Sequence, residues 1–236
     1  MNSERGGLFL ALMVLLGGGG MLGVFEPPFR EQGGERAPLR ELLAASGPAA
    51  GLIANAAWVR LNLACEARDE HAVRALLRVT LAAAPEVDFF RLNAARMLAY
   101  DLPAWRTEAE PMAPGPLRQR WRSDAADEAE ALLLGDENTE PSWLIEAANL
   151  ALYVRGDREL AAQRYRQAAE LPGAPWHAGR IYAQLLRELG RDRDALEWLR
   201  AWAPCLPAGD PAAQRDLVLA RIAELELELQ SRGEPL

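Results

Sequence analysis

The chain has 236 residues, half of them hydrophobic, which is enough apolar material for a core and excludes disorder over most of its length. Its 34 acidic against 26 basic residues leave a net charge of −8, which excludes a general phosphate-binding surface, because nucleic-acid affinity rises with the cations that displace counterions. Two cysteines, Cys65 and Cys205, are too few for a disulfide scaffold or a zinc site and read as small packing residues.

Taken in chain order, the first feature is a run without charge from residue 6 to residue 25, behind a short polar leader that contains Arg5. A run of this length is just enough to cross a bilayer as a helix, although Gly17 to Gly20 weaken the helix at its centre. The glycines are not a phosphate loop, since no Gly-Lys-Ser/Thr follows. No small-x-small cleavage site and no lipobox cysteine stand at the end of the run, so an uncleaved anchor is favoured over a cleaved signal peptide. Residues 26–48, with Pro27, Pro28 and Pro38, form a polar linker.

Helical periodicity then begins. A helix is expected over 51–68, with Trp58 and Leu61 on its inner face, and a second from Glu70 to the stop at Pro85. A third, 88–100, is expected to break at Pro103, followed by a proline-bearing linker over 107–116 and a helix over 117–134. Helices over 142–155 and 158–171 flank Gly156, and Pro172 ends the second. The next unit carries Ala183 and Leu186, a turn at Gly190, then Ala195, Leu199 and Trp202, closed by Pro204 and Pro207. A last helix, 211–230, ends in acidic alternation that suits a polar cap.

The strongest internal signal is a repeat. Gly156 and Gly190, Ala161 and Ala195, and Tyr165 and Leu199 are each 34 positions apart. Asp157 recurs one residue late as Asp192, and Asp69 holds the place of Asp157 in the first half. With the small residues of the second helix and its closing proline, residues 142–206 resemble the tetratricopeptide repeat family. Residues 58–105 are also similar to a group of membrane-anchored, tetratricopeptide-type bacterial proteins, through Trp58, Arg60, Ala95, Arg96, Ala99, Tyr100, Asp101, Pro103 and Trp105. No activity is attached to that group.

The resemblance implies an all-α fold, a right-handed superhelical array of antiparallel helix hairpins (an α-solenoid) behind an N-terminal transmembrane helix. Its expected divisions are 1–25 (anchor), 26–48 (linker), 49–208 (repeats) and 209–236 (capping helix). In such arrays the first helix of each hairpin lines a concave groove. Carried onto this chain, the groove face comprises Trp143, Glu146, Leu150 and Tyr153, then His177, Arg180, Gln184 and Arg187. The second set is polar throughout, so it is either a solvated helix surface or a recognition surface, and the aromatic Trp143 and Tyr153 beside arginines favour recognition.

A second polar and aromatic cluster is Arg96, Tyr100, Asp101 and Trp105, read as a helix end locked to its loop, with a ligand contact as the alternative. His71 and His177 lack partners at metal-ligand spacing, so no metal or other cofactor is expected. Ser46, Ser123 and Ser142 stand in turn or cap contexts, and no Ser-His-acid triad can be placed.

The reading is a non-enzymatic adaptor of the bacterial inner membrane, its soluble part periplasmic, holding a protein or peptide partner and no nucleic acid. The rival is an envelope enzyme, or enzyme subunit, acting around Arg96, Tyr100 and Asp101. Residues 8–25 are expected to keep the chain in the membrane pellet on carbonate extraction. Release of the full-length chain into the soluble fraction refutes the anchor, and a mature terminus beyond Phe25 turns it into a signal peptide.

Overall fold

A computed structural model describes residues 47, 49–135 and 139–233. The expected membrane segment 1–25, and the linker 26–48 apart from Gly47, lie outside the described residues. Among the described residues the fold is all-helical, with no strand, and no helix is long and apolar enough to cross a membrane. The chain divides into two compact units, residues 1–132 and 133–236.

In the first unit, α1 (Ala49–Glu66) and α2 (Glu70–Ala83) form a hairpin. The turn is made by Arg68, in the left-handed region at φ 53°, and by Asp69, whose carboxylate accepts from the Ala72 amide at 3.0 Å and so satisfies an orphan donor of α2. The inner faces contribute Ile53, Ala57 and Leu61 from α1, and Val73, Leu76 and Leu77 from α2. Trp58, Phe89 and Phe90 close one end as an aromatic triangle with ring centroids 5.1 to 5.7 Å apart.

The expected break at Pro103 does not occur. Helix α3 (Asp88–Arg96) runs through a π-helical stretch, Met97–Asp101, directly into α4 (Leu102–Ala109). Proline would collide with the carbonyl four residues back and supply no hydrogen. A wider turn just before it, in which the Leu102 amide reaches the Met97 carbonyl five residues back, lets the chain continue. The irregular stretch before α5 (Gly115–Leu134) is correspondingly shorter than expected. Charges tie these helices together: Glu70 accepts from Arg74 and Arg106, Arg74 also reaches Glu128, and Arg68 pairs with Glu108. Burial alone would raise the Glu70 carboxyl, but the hydrogen bonds from Arg106 and Arg74 outweigh it and hold Glu70 below the usual glutamate value.

In the second unit each helix packs on the next. The order is α6 (Pro141–Asn149), extended by a π-helical Leu150–Arg155, then α7 (Arg158–Glu170), α8 (His177–Glu188), α9 (Asp192–Trp202) and α10 (Arg215–Ser231). Short 3₁₀ turns at Ala203–Cys205 and Pro211–Ala213 lead into α10. The 34-residue correspondence holds in space. Gly156 and Gly190 end their helices in the same left-handed conformation, at φ 70° and 74°, which a side chain would strain. Ala161 and Ala195 are both fully buried, as are Tyr165 and Leu199 to within a few per cent.

Close approach is most severe where α8 meets α9. A Cβ on Gly179 would lie 2.7 Å from the Trp202 ring, and the Trp198 indole donates to the Gly179 carbonyl at 3.0 Å. Tyr182 meets Trp198 edge to face, with centroids 4.9 Å apart. The structure therefore predicts that Ala161→Leu, Ala195→Leu and Gly179→Ala each cost about 1–3 kcal/mol through overpacking. Gln184→Ala, on the exposed side of α8, should leave the melt unchanged. Equal melting of all four variants in thermal denaturation refutes this packing.

Candidate functional site

The groove face expected from the sequence is open at some positions and closed at others. Tyr153 is 74% exposed, and His177 and Gln184 are exposed. Trp143 and Glu146, by contrast, are only 6% and 4% exposed, and Leu150 is fully buried. The expectation of a solvated stripe fails at these three residues because the helix is buried on two sides. Leu144, Ala148 and Ala151 join the core built with α7 and α8, while Trp143, Glu146, Ala147 and Leu150 form a second buried stripe. Spacing alone did not distinguish that stripe from a solvent face, since it includes a tryptophan and a glutamate.

On α8 the arginines are committed to the structure. Arg187 donates to both oxygens of Glu228 at 2.9 and 3.2 Å and lies 3.6 Å from Asp192. Arg232 in turn pairs with Asp192 at 2.7 Å and approaches Glu228 at 3.8 Å. Two cations and two anions thus alternate in a closed ring that joins α8, the start of α9 and the end of α10. Arg180 points the same way, its guanidinium 3.5 Å from the carbonyls of Ala212 and Ala213. The polar face of α8 is therefore largely the seat of the terminal helix. Beside Arg180, His177 is held below its ordinary pKa, first by partial burial and then by the neighbouring positive charge.

Asp192 explains why the repeat's aspartate arrives a residue late. Asp157 caps α7, accepting from the Leu160 amide at 2.9 Å. Asp192 lies one position further in, within the first turn of α9, where it meets the helix dipole and the two arginines instead of capping.

The second cluster lies in the first unit. Arg96 and Tyr100 are exposed on one helical stretch, Asp101 ends the π-helical segment, and Trp105 follows half-buried on α4. The expected loop lock is absent because the backbone is helical throughout. Partial burial raises the Asp101 carboxyl above its usual value, and the Cys65 thiol is raised by burial first and by Asp101 second, both of which disfavour the thiolate. Cys205, expected to pack as a small hydrophobe, is exposed instead. Its 3₁₀ turn carries Ala203 and Leu206 inward and leaves the thiol outside.

Sequence reasoning missed a shallow cleft of about 500 Å³ formed by the end of α7, the connection that follows it and the end of α9, walled by Leu171, Pro175, Trp176 and Trp202. Trp176 is fixed there by donating to Asp210 at 3.0 Å, a residue 34 positions away. The proline and tryptophan of that connection stand in the sequence, but no periodicity or spacing marks them as a wall of a cleft. No acid or base lines this cleft, so its chemistry is that of a seat for an apolar group. Among the described residues, no group of three or more His, Cys, Asp or Glu side chains is placed to hold a metal ion. No protein-family model, curated protein or solved structure matches the chain.

The arginine ring makes a direct forecast. Arg187→Glu sets a third carboxylate between Glu228 and Asp192 and should lower stability by about 1–2 kcal/mol, with part of the loss recovered at high salt. Gln184→Ala, one turn away on the exposed side, should be close to neutral. A melt of the Arg187 variant equal to that of the parent chain would show that the ring carries no stability.

Proposed function

We propose that this chain is a tetratricopeptide-like helical adaptor, held at a membrane by residues 8–25, that presents its hairpins to a protein or peptide partner without performing chemistry of its own. The observation that carries the reading is the equivalence of positions 34 residues apart: paired left-handed glycines, paired buried alanines, and the buried pair Tyr165 and Leu199. Repeated hairpins of this kind form a solenoid with a continuous core and extended faces, an architecture suited to holding partners.

The charge distribution supports the same reading and narrows it. Arg187 is bound to Glu228 of α10 and Arg180 faces the 3₁₀ turn before it, so recognition falls to the exposed groups on these helices, Tyr153, His177 and Gln184. A largely exposed tyrosine combines large apolar area with a hydroxyl and is a favourable contact residue. In this reading the partner meets an aromatic and neutral polar surface, not a strongly cationic one.

The test is capture from detergent-solubilised membranes of the native cell. Tyr153→Ala should weaken retention of the co-purifying protein by at least about fivefold, as befits an interface residue, with helicity and melting unchanged. Undiminished retention removes Tyr153 from the contact. Loss of partner only on substitution of Arg96 or Tyr100 moves the site to the first unit.

A further inference from the structure

Helix α1 carries two apolar faces, and the hairpin uses only one of them. Ile53, Ala57, Leu61 and Ala64 are buried. On the other side of the helix, Leu52 is 71% exposed, and Val59 and Leu63 are each 62% exposed, with the half-buried Ala49 and Ala56 between them. A helix that packs on one side only carries polar residues opposite. Here positions 49, 52, 56, 59 and 63 instead follow the alternating three and four spacing of a helix-pairing seam, and 66 continues it.

We infer that this seam pairs with the same seam of a second copy of the chain, the two α1 helices running antiparallel about a two-fold axis between Ala56 and Val59. The seam is self-complementary in that orientation. Leu52 falls opposite Leu63 toward each end, and the small Ala56 opposite the β-branched Val59 at the centre, so the helices can approach closely at the axis. Its charge is complementary as well. Helix α1 has no acidic residue in its first turn and no basic residue in its last, and it ends on the exposed Glu66. Within one chain that carboxylate sits at the negative end of the helix dipole, where it is disfavoured. In the antiparallel pair, Glu66 lies opposite Ala49, at the positive end of the partner helix, and the two helix dipoles oppose each other. Asn55 and Asn62, both exposed, form one rim of the seam, and the half-buried Arg60 borders the other. Two chains that each carry a charge of −8 meet along seam positions that carry no charge between their ends.

The experiment uses the full-length chain. Light scattering in detergent should give twice the chain mass, and Leu52→Glu with Leu63→Glu should raise the dimer dissociation constant roughly a hundredfold or more while circular dichroism stays the same. In a background of Cys65→Ser and Cys205→Ser, chains bearing Leu52→Cys and chains bearing Leu63→Cys should cross-link to one another on mild oxidation, whereas Leu52→Cys chains alone should not. A monomeric parent chain overturns the inference, as does a dimer that survives the glutamates, or a Leu52→Cys chain that cross-links to itself. A fluorophore placed at Leu52→Cys and quenched by brominated lipid in vesicles overturns it in favour of a lipid surface.

Discussion

Close approach between helices governs the second unit. Where two helices cross, the backbones come near only if the residue at the crossing is small, and this chain places Ala161, Ala195 and Gly179 there. Gly179 shows how little slack exists, because the Trp202 ring occupies the space that a methyl group would take. The large residues are then free to do other work. Tyr165 reaches Asn149 with its hydroxyl at 2.6 Å, and Trp198 bonds a helix carbonyl, so each aromatic ring is oriented by a polar contact as well as buried. Left-handed glycines at Gly156 and Gly190 turn the chain so that the next small residue arrives at its crossing.

These constraints were legible because they act on single residues at fixed spacing. A glycine that must be left-handed, an alanine that must be small and an aspartate that caps leave a mark in one sequence. The first unit obeys the same geometry with less visible marks. Asp69 caps α2 as Asp157 caps α7, but the left-handed position before it is held by Arg68, where Gly156 stands in the later hairpin. An arginine there pays a conformational cost that glycine avoids, offset in part by its pairing with Glu108, and it erases the turn signal. Pro103 misled in the opposite sense. Proline usually ends a helix, and the π-helical turn that accommodates it depends on backbone hydrogen bonding that no residue type announces.

The groove face was the least legible part, for a physical reason. Periodicity separates apolar from polar faces, yet a polar residue can be turned toward solvent, toward a partner or toward another helix of the same chain. On α8 the third outcome holds: Arg187 meets Glu228, a contact across 41 positions that no local pattern encodes. On α6 the glutamate at 146 is buried although its type suggests exposure. On the expected groove face Glu146 and Arg187 are thus tied into the fold, and the exposed positions that remain there, Tyr153, His177 and Gln184, include no acid and no arginine.

The outer faces of α1 and α10 show how charge decides what an exposed leucine means. Helix α10 leaves Leu217 and Leu227 in solvent, but Asp216, Arg221 and Glu224 share that side of the helix, and Arg200 pairs with Glu226 along its flank. Leucines scattered among charges cost little and attract no particular neighbour, since any apolar partner would have to strip water from the ions beside them. Helix α1 has leucines of similar exposure, yet its seam positions from Ala49 to Leu63 carry no charge, and the half-buried Arg60 is the one charged residue that borders them. The desolvation penalty that protects α10 is smaller there, and the seam spacing brings the apolar groups into one line. The same residue type therefore carries different meaning on the two helices, and the difference lies in the neighbours rather than in the leucines themselves.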